Sequence, residues 1–560
     1  MPGIMSKHDS TFKPPSLAQH FEAPDDFVGC FGWLCGYSAD VGFLDDAVER
    51  FTRRTHDQRA YEGRIAIALM LDPSNPQILP TEVPGVLHLP MKGVPPFRLL
   101  HAKVALIGFR HTSDARQWRV RLIVSTGNWT RQTLEDSLDL AWCLDLTDQD
   151  VKSHGDSIPQ ACTDVKAAWN MIDWLRSRFN SRALNAKPPA RQDYESVSTI
   201  VEKWIAKVIR SSNGVAPRFF DNRAASLLVR LPELVRDHTS HSARNYLAMG
   251  SGFYESPDSN NKIPSVLKKI VDSLLEADLL TRQSAIDIFV NPKECQAVAS
   301  SVPSFNNAGW KIRGAGQPEY FKASRTLHAK FIFSANHREN SDLCNSPWLY
   351  LGSGNLTGPG FTSPMASQTG NLEAGVVFAP NSLRWYAAKG IPPESVLTNV
   401  LPLQWENDFS QNMESLAAGS DMPDPEIQYS SAPVAYLFWI VEKNSSWLRT
   451  GEEVTESFDL HETGQACYRD SIKGFQWLGT RPRQVLIHWR VDKQDRQAWV
   501  PVIDEFGRVA ATIQHPPVAA ERQPPNRRKK WSMHHAEALL EPSRSAKSME
   551  AGASNRFDLL

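Results

Sequence analysis

Cysteine is sparse and unpaired in this sequence. Its seven cysteines, Cys30, Cys35, Cys143, Cys162, Cys295, Cys344 and Cys467, are odd in number and lack Cys-x-x-Cys spacing, which speaks against a disulfide framework and a cysteine zinc site. Long apolar runs are also missing. The longest, such as Ile65 to Leu71, falls far short of the roughly 18 residues that a membrane-spanning helix requires. The opening M-P-G-I-M-S-K-H-D-S has no apolar stretch that could form the core of a secretory signal. An intracellular protein of cytoplasm or nucleus, with no integral membrane segment, is therefore expected. Charge of one sign is lacking as well: the formal net charge is -1, so a nucleic-acid partner must be held by a local basic groove. None of the histidines, His111 and the pair His534 and His535 included, stands in a metal-ligating His-Glu-x-x-His or Cys-x-x-Cys context, and neither a metal nor any other cofactor is expected.

What is present is a folded chain with an internal repeat. Hydrophobic content of 41% and charged content of 22% are those of an ordinary globular protein, and 560 residues suggest two to four structural units. The first half reads F-V-G-C-F-G-W-L-C-G-Y from Phe27, a helix-like F-L-D-D-A-V-E-R-F from Phe43, a strand I-A-I-A-L-M-L-D-P from Ile65 and then H-A-K from His101. The second half repeats that order with Y-L-A-M-G-S-G-F-Y-E from Tyr246, V-L-K-K-I-V-D-S-L-L from Val266, A-I-D-I-F-V-N-P from Ala285 and H-A-K from His328. Both strands stop at an Asp-Pro or Asn-Pro step, where proline offers no ladder donor.

These patterns divide the chain. Residues 1–26 read as a flexible start, 27–160 as the first half and 213–420 as the second. Between them, 161–212 carries helical periodicity broken by K-P-P-A-R and reads as an inserted helical linker. Residues 421–515 turn strand-like, an accessory β-rich unit. The stretch 516–560 is rich in Pro, Arg, Lys, Ser and Ala, includes R-R-K-K-W from Arg527, and reads as a disordered basic tail.

The two H-A-K triplets carry the chemistry. In extended backbone, residues i and i+2 share a face, so His101 and Lys103, and likewise His328 and Lys330, project imidazole and ammonium side by side. Asn128 and Asn355 close a Gly-Asn step, each 27 positions after its histidine. Asp139, in S-L-D-L-A-W, and Glu373, in N-L-E-A-G-V, follow and are candidate acceptors for the imidazole Nδ1 proton, which would present Nε2 to a substrate. Thr130, Ser251, Ser353 and Thr357 flank these positions as hydroxyls for phosphate oxygens. A single His-x-Lys is an ordinary triplet; two in register with two Gly-Asn steps and two carboxylates are not.

At these residues the sequence resembles the phospholipase D superfamily, whose duplicated motif is His-x-Lys followed by Gly-x-x-Asn or Gly-Ser-x-Asn. It departs from the common form in having no Asp shortly after either lysine: V-A-L-I-G-F follows Lys103 and F-I-F-S-A-N follows Lys330. The aspartate-free form is similar to that of the tyrosyl-DNA phosphodiesterases, and G-S-G-N-L-T with N-L-E resembles bacterial nuclease-like members. The resemblance implies an α/β fold of two αβα sandwich half-domains with mixed sheets, related by pseudo-two-fold symmetry, plus the β-rich unit. It also implies metal-independent phosphodiester cleavage on nucleic acid, DNA first, with His101 as nucleophile and His328 as acid and then base. Two other readings stay open at this stage: a phospholipase or phosphatidyltransferase, and a nucleic-acid-binding scaffold without turnover.

Overall fold

A computed structural model describes residues 12–560 apart from 154, 188–195, 256–261, 296, 407, 410–415, 417–425, 427–428, 452–453, 455, 462–466, 471–473, 492 and 510–553. The first half contributes β1 (Phe27–Gly36), β2 (Ile67–Leu71), β3 (Val86–His88), β4 (Val104–His111), β5 (Trp118–Ser125), the two-residue β6 (Ser137–Leu138) and β7 (Leu140–Thr147). The second contributes β8 (Phe219–Asp221), β9 (Arg244–Gly250), β10 (Leu280–Val290), β11 (Lys311–Gly314), the two-residue β12 (Thr326–Leu327), β13 (Phe331–Arg338), β14 (Ser341–Gly352) and β15 (Ala374–Phe378). Strands β16 to β22 lie between Leu437 and Ile503, and β23 is Ser554–Leu559.

The fold is mixed α/β, and the sequence repeat is a repeat of sheet topology. One seven-stranded sheet has the order β23-β7-β5-β4-β1-β2-β3; the other, read in the same sense, has β8-β15-β14-β13-β9-β10-β11. Directions agree too. In each, the first strand of the repeat, β1 or β9, pairs parallel with its successor, which pairs parallel with the next, and antiparallel with the strand that follows H-A-K, β4 or β13. The remaining pairs are antiparallel in both sheets. The seventh strand differs in origin: β8 is the opening strand of the second half itself, whereas β23 comes from residues 554–559, far along the chain from the first half.

Strand alternation decides what each face covers. Val104 and Leu106 of β4 join Phe331, Phe333, Leu349 and Leu351 of the second sheet in one inner core, so the two sheets face each other. The alternate residues Ala105, Ile107 and Phe109 turn outward to the helix Val41–Thr52. Ile332, Trp348 and Tyr350 turn outward to the helices Leu227–His238 and Ser265–Glu276. Asp40 starts the first of these helices, its carboxylate accepting the Phe43 N–H at 2.8 Å.

Helices do fill the described part of 161–212, and they are packed: Ala161, Val165, Ala168, Ile172, Leu175, Val201, Ile205 and Val208 are all buried in the inner core, because the apolar stripes of the helices Ile158–Arg176 and Val197–Arg210 find a sheet to cover. One expectation changes. Within the stretch read as a disordered tail, residues 554–559 pair antiparallel with β7, and Leu559 and Leu560 are buried. Their F-D-L-L pattern supplies the apolar alternation of an edge strand, which composition averaged over the whole tail conceals. Arg527 and its neighbours lie outside the described residues. Strands β16 to β22 form a third sheet with its own core around Val434, Leu448, Ile487 and Val502. It docks on the segment 73–91, where Gln77 exchanges side-chain hydrogen bonds with the Trp499 backbone.

Tight strand packing near the repeat's Gly-Asn steps is testable. Gly352 pairs with Gly375, and a Cβ there would come within 2.6 Å of the Ala374 carbonyl and 2.7 Å of the Gly375 Cα. Backbone atoms cannot swing aside as a side-chain end can, so Gly352→Ala should lose about 1–3 kcal/mol. Gly155→Ala, whose Cβ meets only Ile158 at 3.6 Å, should be neutral. Thermal unfolding of both variants checks this, and equal midpoints would refute it.

Candidate active site

The two H-A-K triplets lie just ahead of β4 and β13, because their backbone N–H groups are committed to the opposite half. His101 and Ala102 donate to the Leu372 carbonyl at 3.0 and 2.8 Å; His328 and Ala329 donate to the Leu138 carbonyl at 3.0 and 2.7 Å. Leu372 immediately precedes Glu373, and Leu138 immediately precedes Asp139. Each triplet is thus laced to the segment that carries the other half's carboxylate. The two-stranded pairing of β12 with β6 is part of that lacing.

The side chains follow the backbone. His101 Nδ1 lies 2.9 Å from Glu373 Oε2, and His328 Nδ1 lies 2.9 and 3.2 Å from the two oxygens of Asp139. Both carboxylates are fully buried, so each imidazole takes the Nδ1–H tautomer and turns Nε2 away from its acceptor. The carboxylates are themselves fixed. Asp139 accepts from the Thr126 and Ser137 hydroxyls at 2.7 Å each; Glu373 accepts from the Ser353 hydroxyl and from Asn371 Nδ2 at 3.0 Å. Burial alone would raise both acids, but the facing histidine, a lysine and these hydrogen bonds outweigh it and hold them below the usual carboxylate range.

The lysines are buried and mutually repelling. Burial, assisted by Lys330, pushes Lys103 well below its ordinary value, and burial brings Lys330 down to about 8 against the attraction of Asp139 and Glu373. Lys330 also depresses His101, and Lys103 depresses His328, so the two sets act as one electrostatic unit. Their contacts differ. Lys330 Nζ lies 3.0 Å from His328 Nε2 and 3.3 Å from the Thr126 carbonyl, whereas Lys103 Nζ donates to the His101 carbonyl at 2.7 Å. No hydrogen bond among the described residues reaches His101 Nε2.

Asn128 and Asn355 end the series. Each has a buried Oδ1 with no partner among the described residues, an open hydrogen-bonding position of the kind a bound ligand satisfies. Their preceding glycines are forced by proximity: a Cβ on Gly127 would sit 2.8 Å from the Asp139 carboxylate.

The four flanking hydroxyls are occupied locally. Ser353 serves Glu373, while Ser251, fully buried, donates to the Phe253 carbonyl at 2.7 Å and accepts from Leu356 N–H. Thr357 accepts from Gly360 N–H, and Thr130 lies 3.4 Å from the Thr133 hydroxyl. The sequence reading missed Thr126, Ser137 and Asn371. Their signal was register: Thr126 and Ser353 stand at the same offset from their histidines, and Ser137 and Asn371 stand two before the carboxylates. It also missed what the Asp-Pro and Asn-Pro steps do. Asp72 accepts the Leu100 N–H at 2.7 Å and Asn291 accepts the Leu327 N–H at 2.6 Å, fixing the residue ahead of each histidine. Among the described residues no group of three or more His, Cys, Asp or Glu side chains is arranged to hold a metal ion, and no helix is long and apolar enough to cross a membrane.

No family model matches the sequence, and no curated protein matches it. Among solved structures, two variants of yeast tyrosyl-DNA phosphodiesterase align at 12% identity. One alignment covers 65% of this chain and 84% of that chain with a TM-score of 0.35; the other covers 70% and 94% with a TM-score of 0.36. At that level the likeness adds nothing to the geometry.

The electrostatics predict a titration. Burial lowers His101 to about 4 and Glu373 opposes the shift, while Lys103 and Lys330 add to it. Glu373→Gln should therefore lower the His101 transition further and Lys103→Met should raise it, followed by histidine NMR. Against an unfolded value near 6.5, the unfolded chain binds more protons between about pH 4 and 6.5, so His101 costs stability as pH falls through that window. A wild-type transition near 6.5 would contradict this picture of the site.

Proposed function

We propose that the protein is a metal-independent phosphodiesterase acting on nucleic acid, a nuclease or DNA-end-processing enzyme, through a phosphohistidine intermediate. The observation that carries this reading is the crossed pairing, in which each imidazole is oriented by a buried carboxylate of the other half beside two buried lysines and two asparagines with open positions. We read the halves as related by a pseudo-two-fold axis through that cluster. Two imidazoles suit a displacement at phosphorus that needs a nucleophile and a proton donor together. Two ammonium groups and two amides suit the negative charge on the equatorial oxygens of its transition state.

The asymmetry of the lysines supports a division of labour. His101, with a lone pair on Nε2 that no hydrogen bond among the described residues engages, is the nucleophile: it forms a bond to phosphorus while the phosphorus–oxygen bond to the leaving group breaks. Glu373 balances the positive charge that appears on the imidazole. His328, whose Nε2 is in contact with Lys330, gives its proton to the leaving oxygen. Binding of an anionic phosphodiester favours the protonated imidazole that this step requires. Water then attacks phosphorus, His328 takes its proton, and the phosphorus–nitrogen bond breaks to restore His101.

Nucleic acid is preferred to lipid because the motif has the aspartate-free form. In addition, among the described residues the large apolar side chains left exposed, such as Val94, Val229, Leu343 and Val441, are spread singly along the sequence, unlike the continuous apolar face of an interfacial helix.

Two measurements test the reading. Purified protein should cleave labelled single-stranded DNA or 3′-adducted DNA in excess chelator, and faster than it cleaves RNA or phosphatidylcholine; activity that needs an added divalent ion would refute it. With an activated aryl phosphodiester, His328→Ala should accumulate a mass adduct on His101, because attack persists while nothing activates water, and His101→Ala should show neither product nor adduct. An adduct on His328 in the His101→Ala protein would reverse the roles.

A further inference from the structure

The two carboxylates are held from behind by different parts of the chain. Behind Glu373, the seventh strand β8 runs into Asn222, which is fully buried. Its N–H donates to the Glu373 carbonyl at 3.2 Å, its Oδ1 accepts the Glu373 N–H at 2.8 Å, and its Nδ2 donates to the Asn371 carbonyl at 2.8 Å. Behind Asp139, the corresponding place is taken by the end of β23, where the Leu560 N–H donates to the Asp139 carbonyl at 2.7 Å. Leu559 pairs with Leu140, next to Asp139, and the pairing runs back to Ser554 opposite Asp145.

This strand is anchored on both faces. Leu559 is fully buried in the inner core, and Phe557 packs at a tilt against Phe378 of the second sheet, 5.4 Å between ring centroids. On the outer face Leu560 joins the core around the helix Val41–Thr52, and Asp558 lies 3.5 Å from the fully buried His20. Without these seven residues the outer edge of β7 would be unpaired along its length, and the Asp139 carbonyl would lose its donor.

We propose that residues 554–560 are a positioning element for the proton-transfer pair Asp139 and His328, donated in strand form from more than four hundred residues away in sequence. The segment does not touch substrate. It acts by closing the sheet behind Asp139 and fixing the backbone whose carboxylate orients the His328 imidazole, the service that Asn222 and β8 perform for Glu373 and His101. The inference rests on the role given to His328 under the proposed function, and its test has a readout that needs no turnover.

A variant lacking residues 554–560 should be compared with the full chain by low-field proton NMR of the histidine Nδ1–H groups and by cleavage of an activated aryl phosphodiester. The His328 signal, assigned by its absence in His328→Gln, should broaden or vanish. The His101 signal should persist, since its carboxylate is held by Asn222; this reports that the fold survives. Turnover should fall at least ~10-fold, part of the ~100-fold or more that a positioned acid–base group contributes. A synthetic peptide spanning residues 554–560 should restore both readouts saturably. An unchanged His328 signal in the truncated protein overturns the proposal. So does simultaneous loss of both histidine signals that the peptide cannot restore, because the segment would then serve only general folding. If the full chain cleaves no phosphodiester at all, the proposed function fails while the NMR comparison still decides this inference.

Discussion

Everything distinctive in this structure depends on an exchange of backbone hydrogen bonds between halves. The Leu138 carbonyl takes two donors from the second H-A-K triplet, and the Leu372 carbonyl takes two from the first. Because a peptide segment held at both its N–H and C=O positions has little freedom, the residue after each leucine is delivered to a defined place. That residue is the carboxylate. Its contact with the opposite imidazole is thus a consequence of main-chain geometry, and side-chain hydroxyls only refine it. The inner core enforces the same arrangement from a distance, since the two sheets share one set of apolar side chains.

This crossing explains how four charged groups tolerate burial. Lys103, Lys330, Asp139 and Glu373 are all fully buried, an arrangement that costs stability unless charges balance and hydrogen bonds are met. Two cations and two anions balance formally. Burial is what lowers the lysines and histidines, and an anion placed beside the ammonium groups would favour their charged forms. A site left in that condition is disposed to take up an anion.

The repeat, the order of its strands and the eight candidate residues were legible in the sequence, because each depends on local pattern: alternation for strands, a fixed offset for H-A-K and Gly-Asn, a Pro step for strand ends. Which carboxylate serves which histidine was not legible. Asp139 follows His101 in the same half, and nothing in spacing says that it crosses to His328; that depends on how the two sheets face each other. The hydroxyls went astray for a related reason. Ser353 reads as a phosphate ligand from its place beside Asn355, but its strand directs it to Glu373, and the matching Thr126 shows that orienting a carboxylate is what the offset encodes. The terminal strand was hidden by composition: seven residues with strand alternation follow a long stretch rich in proline, serine and basic residues.

Crossed pairing also sets a schedule for biosynthesis. Glu373 follows His101 by 272 residues, and Asp139 precedes His328 by 189. At about 5–20 residues per second on the ribosome, the first histidine waits tens of seconds for its acceptor, although the strands around it can already pair. A nascent or prematurely terminated chain that ends before Glu373 therefore lacks the acceptor that orients His101, and its cluster of paired imidazoles is incomplete.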